Sequence, residues 1–291
     1  MKIALLILLT FAATCAAPSQ STGDSTAQFV FLPGGLHFAP LKAHMQEPRI
    51  GVFKFLDASE MKVDVGNSID LFGLNFSHAR LTAGIDFFAY AFVTGAQGLR
   101  LQIDAIDGFF GGNLTYSGEL SGEGHDKLYA RLRVLHQSAH VVDGHYLPAT
   151  NSWIDNRSPI PFTRDFGEMV LAHAIIAECW SVRYYGGLSY ATLVRPSDIE
   201  RFAYLGGTEI SRKIGALWEQ PANLYASYNL SLDGVPVYAA SHDIQLGVKF
   251  GEFYKKGPSV FLMYHTGRHL FGEYYNEPLT TIGAGFTVEF F

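Results

Sequence analysis

The chain has 291 residues, a formal net charge of −6 and charged side chains at only 16% of its positions. An acidic balance gives no reason to expect nucleic-acid binding, which depends on a basic surface. Glycine and aromatic residues are abundant, and beyond the amino-terminal segment no apolar run approaches the 18 or more residues of a transmembrane helix. A soluble β protein and a transmembrane β-barrel remain as fold classes.

The first 17 residues have the pattern of a secretory signal peptide. Lys2 is followed by an apolar run over residues 3–11 and by small residues that end in Ala16 and Ala17, near which we expect cleavage. Loss of Lys2 lowers the number of Lys and Arg from 21 to 20 against 27 Asp and Glu, so the exported chain has a net charge of about −7. Cys179 is then the only cysteine, which excludes an intramolecular disulfide.

Residues 18–47 are predicted to form a periplasmic amino-terminal segment without regular strands. Its stretch "FVFLPGGLHFAPLKAHMQEPR" is interrupted by prolines and does not alternate. We expect this segment either to lie below the barrel that follows it in the chain or to enter that barrel as a plug.

From residue 48 onward, the dominant signal is alternation of apolar and polar residues, which is typical of strands. Clear examples are "RLTAGIDFFAYAFV", "HDIQLGVKF" and "TIGAGFTVEFF". The polar face carries charges in mid-strand together with glycines, and the segments reach about ten residues or more, as tilted membrane-spanning strands require. These features favour a barrel with lipid outside and a polar lumen over a soluble sandwich.

We predict an all-β, antiparallel up-and-down transmembrane barrel over residues 48–291, in the bacterial outer membrane. About twelve strands are expected, with an uncertainty of two, near 49–57, 62–76, 80–94, 99–117, 126–140, 162–178, 181–195, 200–213, 222–232, 235–250, 258–268 and 280–291. An even strand number places both chain ends in the periplasm. The longest connection, residues 141–161, is then extracellular.

The fifth predicted strand contains "RLRVLHQSAH", in which the two faces differ in an informative way. Arg131 and Arg133 must face the lumen, because an arginine facing lipid costs about 2–4 kcal/mol at the midplane. They are expected to pair with acidic lumen residues, for which the candidates are Asp86, Asp104 and Glu119. His136 and Ser138 consequently face outward, near the outer end of an upward-running strand.

A histidine and a serine on one strand face suit nucleophilic catalysis. A serine hydroxyl is a poor nucleophile until a base removes its proton, and histidine can act as this base. A third side chain would orient the imidazole. Ser138 is the candidate nucleophile and His136 the candidate base. For the third member, Glu168 is preferred over Asn156, because Glu168 would share an outward face with Val170, Ala172 and Ala174.

Asp165 would lie on the opposite face of that strand. The competing interpretation is that His136 and Ser138 are ordinary interfacial residues of a barrel.

Three stretches resemble the bacterial outer-membrane family called domain of unknown function 1207. They are "FLPGGLHFAPLKAHMQEPRIGVFKF", "YARLRVLHQSAHVVDGHYL" and "RYYGGLSY". The resemblance implies a barrel without a settled activity. The family pattern continues with an acidic pair after the His-Ser-His box, whereas this chain has Asp143 followed by Gly144.

The "HQS" at 136–138 is similar to the active-site strand of outer-membrane phospholipase A, and its His-x-Ser spacing to that of the barrel lipid A 3-O-deacylases. This resemblance implies a pair on the outside of the barrel near the outer leaflet, with Asn or Glu on the neighbouring strand, and it brings calcium into consideration. The residues themselves indicate no cofactor and no metal. Loop or rim positions are preferred to metal ligation for His140, His145, His242, His265 and His269.

Two functions therefore remain open. The first is a lipid acyl-ester hydrolase, a serine-type phospholipase or lipid A deacylase. The alternative is a non-enzymatic pore or structural barrel. The expected partners are membrane lipids, with lipopolysaccharide as a further candidate and no nucleic acid, and the expected state is a monomer or weak homodimer.

Overall fold

The computed structural model describes residues 27–96, 100–120, 125–142, 146–153, 158–234 and 236–290. The signal peptide predicted over residues 1–17 and the candidate Asn156 lie outside these ranges. No helix within the described ranges is long and apolar enough to cross a bilayer.

Fifteen strands occur in the described residues, and twelve of them close into a barrel. The barrel strands are β2 (Ile50–Phe55), β3 (Glu60–Asn75), β4 (Ala79–Ala96), β5 (Arg100–Glu119), β6 (Asp126–Val141), β9 (Thr163–Ile176), β10 (Trp180–Arg195), β11 (Phe202–Leu217), β12 (Gln220–Gly234), β13 (Tyr238–Phe250), β14 (Gly257–Arg268) and β15 (Pro278–Glu289). The predicted fold class and strand number are confirmed. The additional strands are β1 (Gln28–Phe31), which pairs with β3, and the hairpin β7 (Tyr146–Leu147) and β8 (Ser152–Trp153).

Each barrel strand pairs in antiparallel fashion with its neighbours in chain order, and β15 pairs with β2 to close the cylinder. Closure leaves no free edge, which satisfies the backbone hydrogen bonds that a bilayer cannot. The two longest connections, residues 142–162 and 269–277, lie at the same end, which we call the outer end. Strand β6 runs toward that end and β9 returns from it.

The outer wall of the barrel is apolar. Large exposed side chains include Ile85, Phe87, Leu114, Val134, Met169, Leu171, Leu188, Leu224, Leu246, Leu262 and Ile282. Charged side chains at alternate positions are buried inside, among them Lys62, Asp64, Arg131, Arg133, Glu168, Arg183, Glu209, Lys249 and Glu289. An apolar band outside and a charged lumen form the architecture of an outer-membrane β-barrel.

The segment before β2 enters the lumen and plugs it. Residues 38–45, together with Glu47 and Pro48, are buried, so of the two predicted positions this part occupies the one inside the barrel. Phe38 and Leu41 pack against Val170 and Ala172 of β9. We call residues 38–48 the plug.

Buried ion pairs join the plug to the barrel wall. Arg131 donates two hydrogen bonds to the carboxylate of Glu47, of 2.8 and 2.5 Å, and Arg133 donates bonds of 3.0 and 2.7 Å to Glu168. The predicted acidic partners Asp86, Asp104 and Glu119 were therefore wrong. The carboxylates beside the two guanidinium groups belong instead to Glu47 of the plug and to Glu168 of the neighbouring strand β9.

A second set of contacts holds the same segment to β10 and to the last strand, β15. Arg183 donates to the carbonyl oxygens of Ala39 and Pro40, at 2.8 and 3.0 Å, and also binds Glu209. Lys42 binds Glu289 of the last strand. The plug thus contacts strands far apart around the barrel, which fixes it in the lumen.

An aromatic core closes the outer half of the lumen. Phe88 and Phe109 stack with ring centroids 4.6 Å apart, and Phe271 of the connection after β14 folds inward against Tyr90. Gly272 makes this entry feasible, because a Cβ there would lie 2.6 Å from the ring of Phe162. The plug and this core therefore obstruct the lumen, and a cavity of about 560 Å³ remains at its inner end, lined by His37, Tyr129 and Arg183 among others.

We predict that Glu47→Gln destabilises the barrel by about 3–5 kcal/mol, because it leaves Arg131 buried without its main counter-charge. The free energy of unfolding, from denaturant titration of the purified protein in micelles, measures the effect. Glu252→Gln is the matched control, since it breaks the exposed pair between Glu252 and Lys255. Equal stability of the two variants would contradict the structural role of the plug contact.

A charge on the outer wall should interfere with membrane insertion. Val134 is 63% exposed and lies in the middle of β6. Val134→Arg is expected to cost about 2–4 kcal/mol, whereas Leu120→Arg, at the inner turn after β5, should cost less because the charge reaches water. Folding yield into lipid vesicles, read from the heat-modifiable band on a gel, separates the two, and equal yields would speak against a lipid-facing wall.

Candidate functional site

The outer half of β6 presents His136 and Ser138 to the outside. Arg133 and Gln137 are buried in the lumen, whereas Val134, His136 and Ser138 occupy the alternate positions and are partly or fully exposed. The predicted orientation of these two side chains is therefore confirmed. Alternate residues of a strand point to opposite faces, so His136 and Ser138 lie on the same lipid-facing side as Val134.

Asp165 of β9 holds the imidazole of His136. The two residues are direct partners in the antiparallel register, and the Nδ1 atom of His136 lies 2.6 Å from Oδ1 of Asp165. An ionised carboxylate only accepts hydrogen bonds, so Nδ1 carries the proton of this contact, and in the neutral imidazole the lone pair is then on Nε2. This pair has the tautomer that a general base requires.

Phe110 borders the imidazole on the other side. It is the register partner of His136 on β5, and the two ring centroids are 4.8 Å apart. An aromatic ring on one side and a carboxylate on the other restrict the rotation of the imidazole. The ring is thereby oriented before any ligand binds.

Ser138 has open space beside it. Its register partners are Gly108 on β5 and Thr163 on β9, and a Cβ added to Gly108 would meet nothing within 4 Å. Two residues along a strand separate Ser138 from His136 by roughly 7 Å between Cα atoms. Within the described part of the chain, no hydrogen bond joins the hydroxyl to the ring, a loose geometry that is common before substrate binds.

A shallow recess continues from Ser138 toward the outer rim. It is lined by His140, Pro159, Ile160, Thr163 and Glu273, among others. Burial raises the pKa of Glu273, and the backbone N–H of Ile160, which donates to this carboxylate at 3.0 Å, opposes that rise. Most of the surface that lines the recess is apolar, and its polar side chains are Ser138, His140, Thr163 and Glu273.

Glu168 does not belong to this site, and the prediction that it faces outward was wrong. Its carboxylate is buried in the lumen, where it binds Arg133. Val170 and Ala172, which suggested an outward face, are lumen residues that pack against the plug. Apolar side chains therefore mark the inner face of this strand as well as the outer one.

The sequence-based choice of a third residue missed Asp165. Asn156 lies outside the described residues, so nothing places it near His136. The pairing register could have identified Asp165. Arg133 and Glu168 oppose each other on the same two strands, and the same register puts His136 opposite Asp165. The pairing of Arg133 with Glu168 was not anticipated.

Two other outward histidines provide comparisons within the same barrel. His173 binds Asp126 at 3.0 Å and Tyr184 at 2.5 Å, and His242 binds the Tyr228 hydroxyl at 2.8 Å. The residues two positions away from His173 and His242 are Leu171, Ile175, Ala240 and Ile244. Of these three hydrogen-bonded histidines, only His136 has a hydroxyl at such a position.

The described residues bring together no group of three or more His, Cys, Asp or Glu that could hold a metal ion. His265, one of the histidines assigned to a loop or rim, is instead a buried side chain bound to Asp243 at 2.7 Å. That assignment was wrong for His265.

No protein-family model and no curated protein matches the chain. Two solved structures are similar. The beta domain of the Bordetella autotransporter BrkA is 15% identical over 83% of this chain and 97% of its own, with a TM-score of 0.42. CdiB from Acinetobacter baumannii is 10% identical over 91% of this chain and 65% of its own, with a TM-score of 0.38. The resemblances to family 1207 and to the barrel lipid hydrolases stay predictions.

The identity of the carboxylate beside His136 can be tested directly. Asp165→Ala should remove the downfield Nδ1–H proton resonance of His136, measured by NMR of ¹⁵N-histidine protein. Its absence from His136→Ala assigns this resonance, because His265 bound to Asp243 gives a signal of the same kind. Glu168→Gln should leave that resonance in place, because Glu168 lies in the lumen. Persistence of the signal in Asp165→Ala, or its loss only in Glu168→Gln, would refute the assignment.

Proposed function

We propose that this outer-membrane barrel is a lipid acyl-ester hydrolase, with Ser138 as nucleophile, His136 as general base and Asp165 as the residue that orients the imidazole. The observation that carries the proposal is the 2.6 Å contact between His136 and Asp165 on the lipid-facing wall, with a serine two residues further on. A hydroxyl, an imidazole and a carboxylate on adjacent strands form the set that serine hydrolases use.

The position of the three residues suits a substrate that stays in the bilayer. They lie at the outer end of the wall, where acyl esters meet the headgroups. Beside them toward the midplane, Val134 and Phe110 are exposed and can contact acyl chains. A lipid could thus present its ester to Ser138 without leaving the membrane.

The reaction follows from the protonation state of the pair. Nε2 of His136 takes the proton of the Ser138 hydroxyl as the oxygen attacks the ester carbonyl, and Asp165 stabilises the imidazolium that results. The protonated imidazole then gives this proton to the leaving alcohol. Water, deprotonated by the same nitrogen, cleaves the acyl-enzyme and releases a fatty acid.

The proposal needs no cofactor, and no step is assigned to calcium. We infer that membrane lipids are the partners of the outer wall, with lipopolysaccharide as a further candidate. One barrel contains all three residues, so a monomer would suffice and a weak homodimer is not required.

The second function, a pore or structural barrel, has less support as a pore. The plug and the aromatic core around Phe109 and Phe271 obstruct the lumen. A structural barrel would contain the same pair as ordinary interfacial residues. The hydrolysis experiment distinguishes these cases.

Purified protein in mixed micelles should release fatty acid from phospholipid or lipid A. We expect Ser138→Ala to abolish the release, and His136→Ala and Asp165→Asn to lower the rate by about 10²-fold or more, since general acid–base catalysis contributes 10²–10⁴-fold. The measurement is the initial rate of fatty-acid release at fixed protein concentration.

His173→Ala is the matched control, because it removes an outward histidine that binds an aspartate but lies near the inner end. It should keep the wild-type rate. If Ser138→Ala releases fatty acid as fast as the wild type, or if the wild type leaves every lipid intact, the hydrolase proposal fails. Ion conductance in planar bilayers would then favour the pore.

A further inference from the structure

Two arginines, Arg195 and Arg201, lie at the outer end of the barrel on the side of Asp165 away from the proposed nucleophile. Thr163, the partner of Ser138 on β9, is itself opposite Arg195 on β10. Ser138 and Arg195 therefore occupy the same rung two strands apart, about 10 Å between Cα atoms. Arg195 is exposed, and a long side chain can cover most of that distance.

Arg201 directly precedes β11, and its side chain reaches back to β10. Its guanidinium donates to the carbonyl oxygens of Ala191 and Thr192 on β10, at 2.9 and 2.7 Å. The hydroxyl of Thr192 in turn donates to the carbonyl oxygen of Asp165 at 3.2 Å. A chain of short contacts thus leads from Arg201 to the residue that orients His136.

Neither guanidinium is neutralised by a neighbour. Within the described ranges, Arg195 and Arg201 have backbone carbonyl partners and no ion pair.

Aromatic residues mark the depth of these arginines. Tyr190 and Phe202 are exposed on the outer wall with ring centroids 4.9 Å apart, and Phe202 directly follows Arg201 in the chain. Aromatic side chains form girdles at the membrane interface of barrels. The two cations are therefore at the level of lipid headgroups, where phosphates are found.

We propose that Arg195 and Arg201 bind the phosphate of the lipid substrate and so give the site a preference for phosphorylated lipids over neutral glycerides. This inference rests on the proposed hydrolase function, whose substrate class it names. Guanidinium groups match phosphate oxygens in geometry and charge. In both glycerophospholipids and lipid A, a phosphate lies a few bonds from an acyl ester.

The test compares substrates that differ only in the phosphate. Hydrolysis of phosphatidylglycerol and of diacylglycerol with the same acyl chains is measured in dodecyl maltoside micelles. We expect Arg195→Gln and Arg201→Gln to lower the rate on phosphatidylglycerol relative to diacylglycerol by about tenfold or more, as loss of a charge-assisted hydrogen bond implies. The diacylglycerol rate also reports whether each variant is folded.

Arg212→Gln is the matched control, because Arg212 is an exposed arginine near the inner end of β11, opposite Trp180. It should leave the ratio of the two rates unchanged. A parallel experiment compares lipid A with and without its phosphates. If the ratio of the two rates depends on Arg195 for only one of the two lipid classes, that class supplies the phosphate that the site binds. An unchanged ratio for both lipid classes in Arg195→Gln and Arg201→Gln overturns the proposal.

A binding measurement separates this inference from the hydrolase itself. Ser138→Ala protein is titrated with fluorescent phosphatidylglycerol and fluorescent diacylglycerol, and the Kd values are compared with and without Arg195→Gln. If phosphatidylglycerol binds more tightly only when Arg195 is present, the phosphate site stands even where the wild type hydrolyses nothing. Equal Kd values for the two lipids in the Ser138→Ala protein would refute the site even if hydrolysis occurs.

Discussion

The buried network of Arg131, Arg133, Glu47 and Glu168 is the constraint on which the rest of the structure depends. Four charged groups share a lumen that excludes most water, and each cation contacts a carboxylate. Side chains alternate along a strand, so a slip of one residue would move both arginines into lipid. The cost of that exposure, about 2–4 kcal/mol for each arginine at the midplane, fixes which face of β6 points outward.

The same network determines where chemistry can occur. Glu47 belongs to the plug, so the pair with Arg131 holds the amino-terminal segment in the lumen while Arg183 and Lys42 hold it from other sides. The plug and the aromatic core obstruct the lumen, in which a cavity of about 560 Å³ remains at the inner end. The proposed lipid-directed activity would therefore act on the outer wall, which faces the bilayer.

The strands were predictable from the sequence because alternate residues of each strand face lipid and lumen, and these two environments select apolar and polar side chains. Alternation located all twelve barrel strands, and two arginines sufficed to orient His136 and Ser138. The faces of β9 were not predictable in this way. Val170 and Ala172 are apolar because they pack on Phe38 and Leu41, which lie about 130 positions earlier in the chain, and no local pattern distinguishes such a contact from lipid.

The missed residue follows from the antiparallel register once a single ion pair is known. Arg133 lies opposite Glu168, and each step toward the outer end on β6 is matched by a step of one residue back along β9. Three steps bring His136 opposite Asp165. Because three is odd, the two pairs lie on opposite faces of the wall. The ion pair in the lumen and the histidine–aspartate pair outside are thus one register, so the contact that stabilises the interior also positions the proposed catalytic pair.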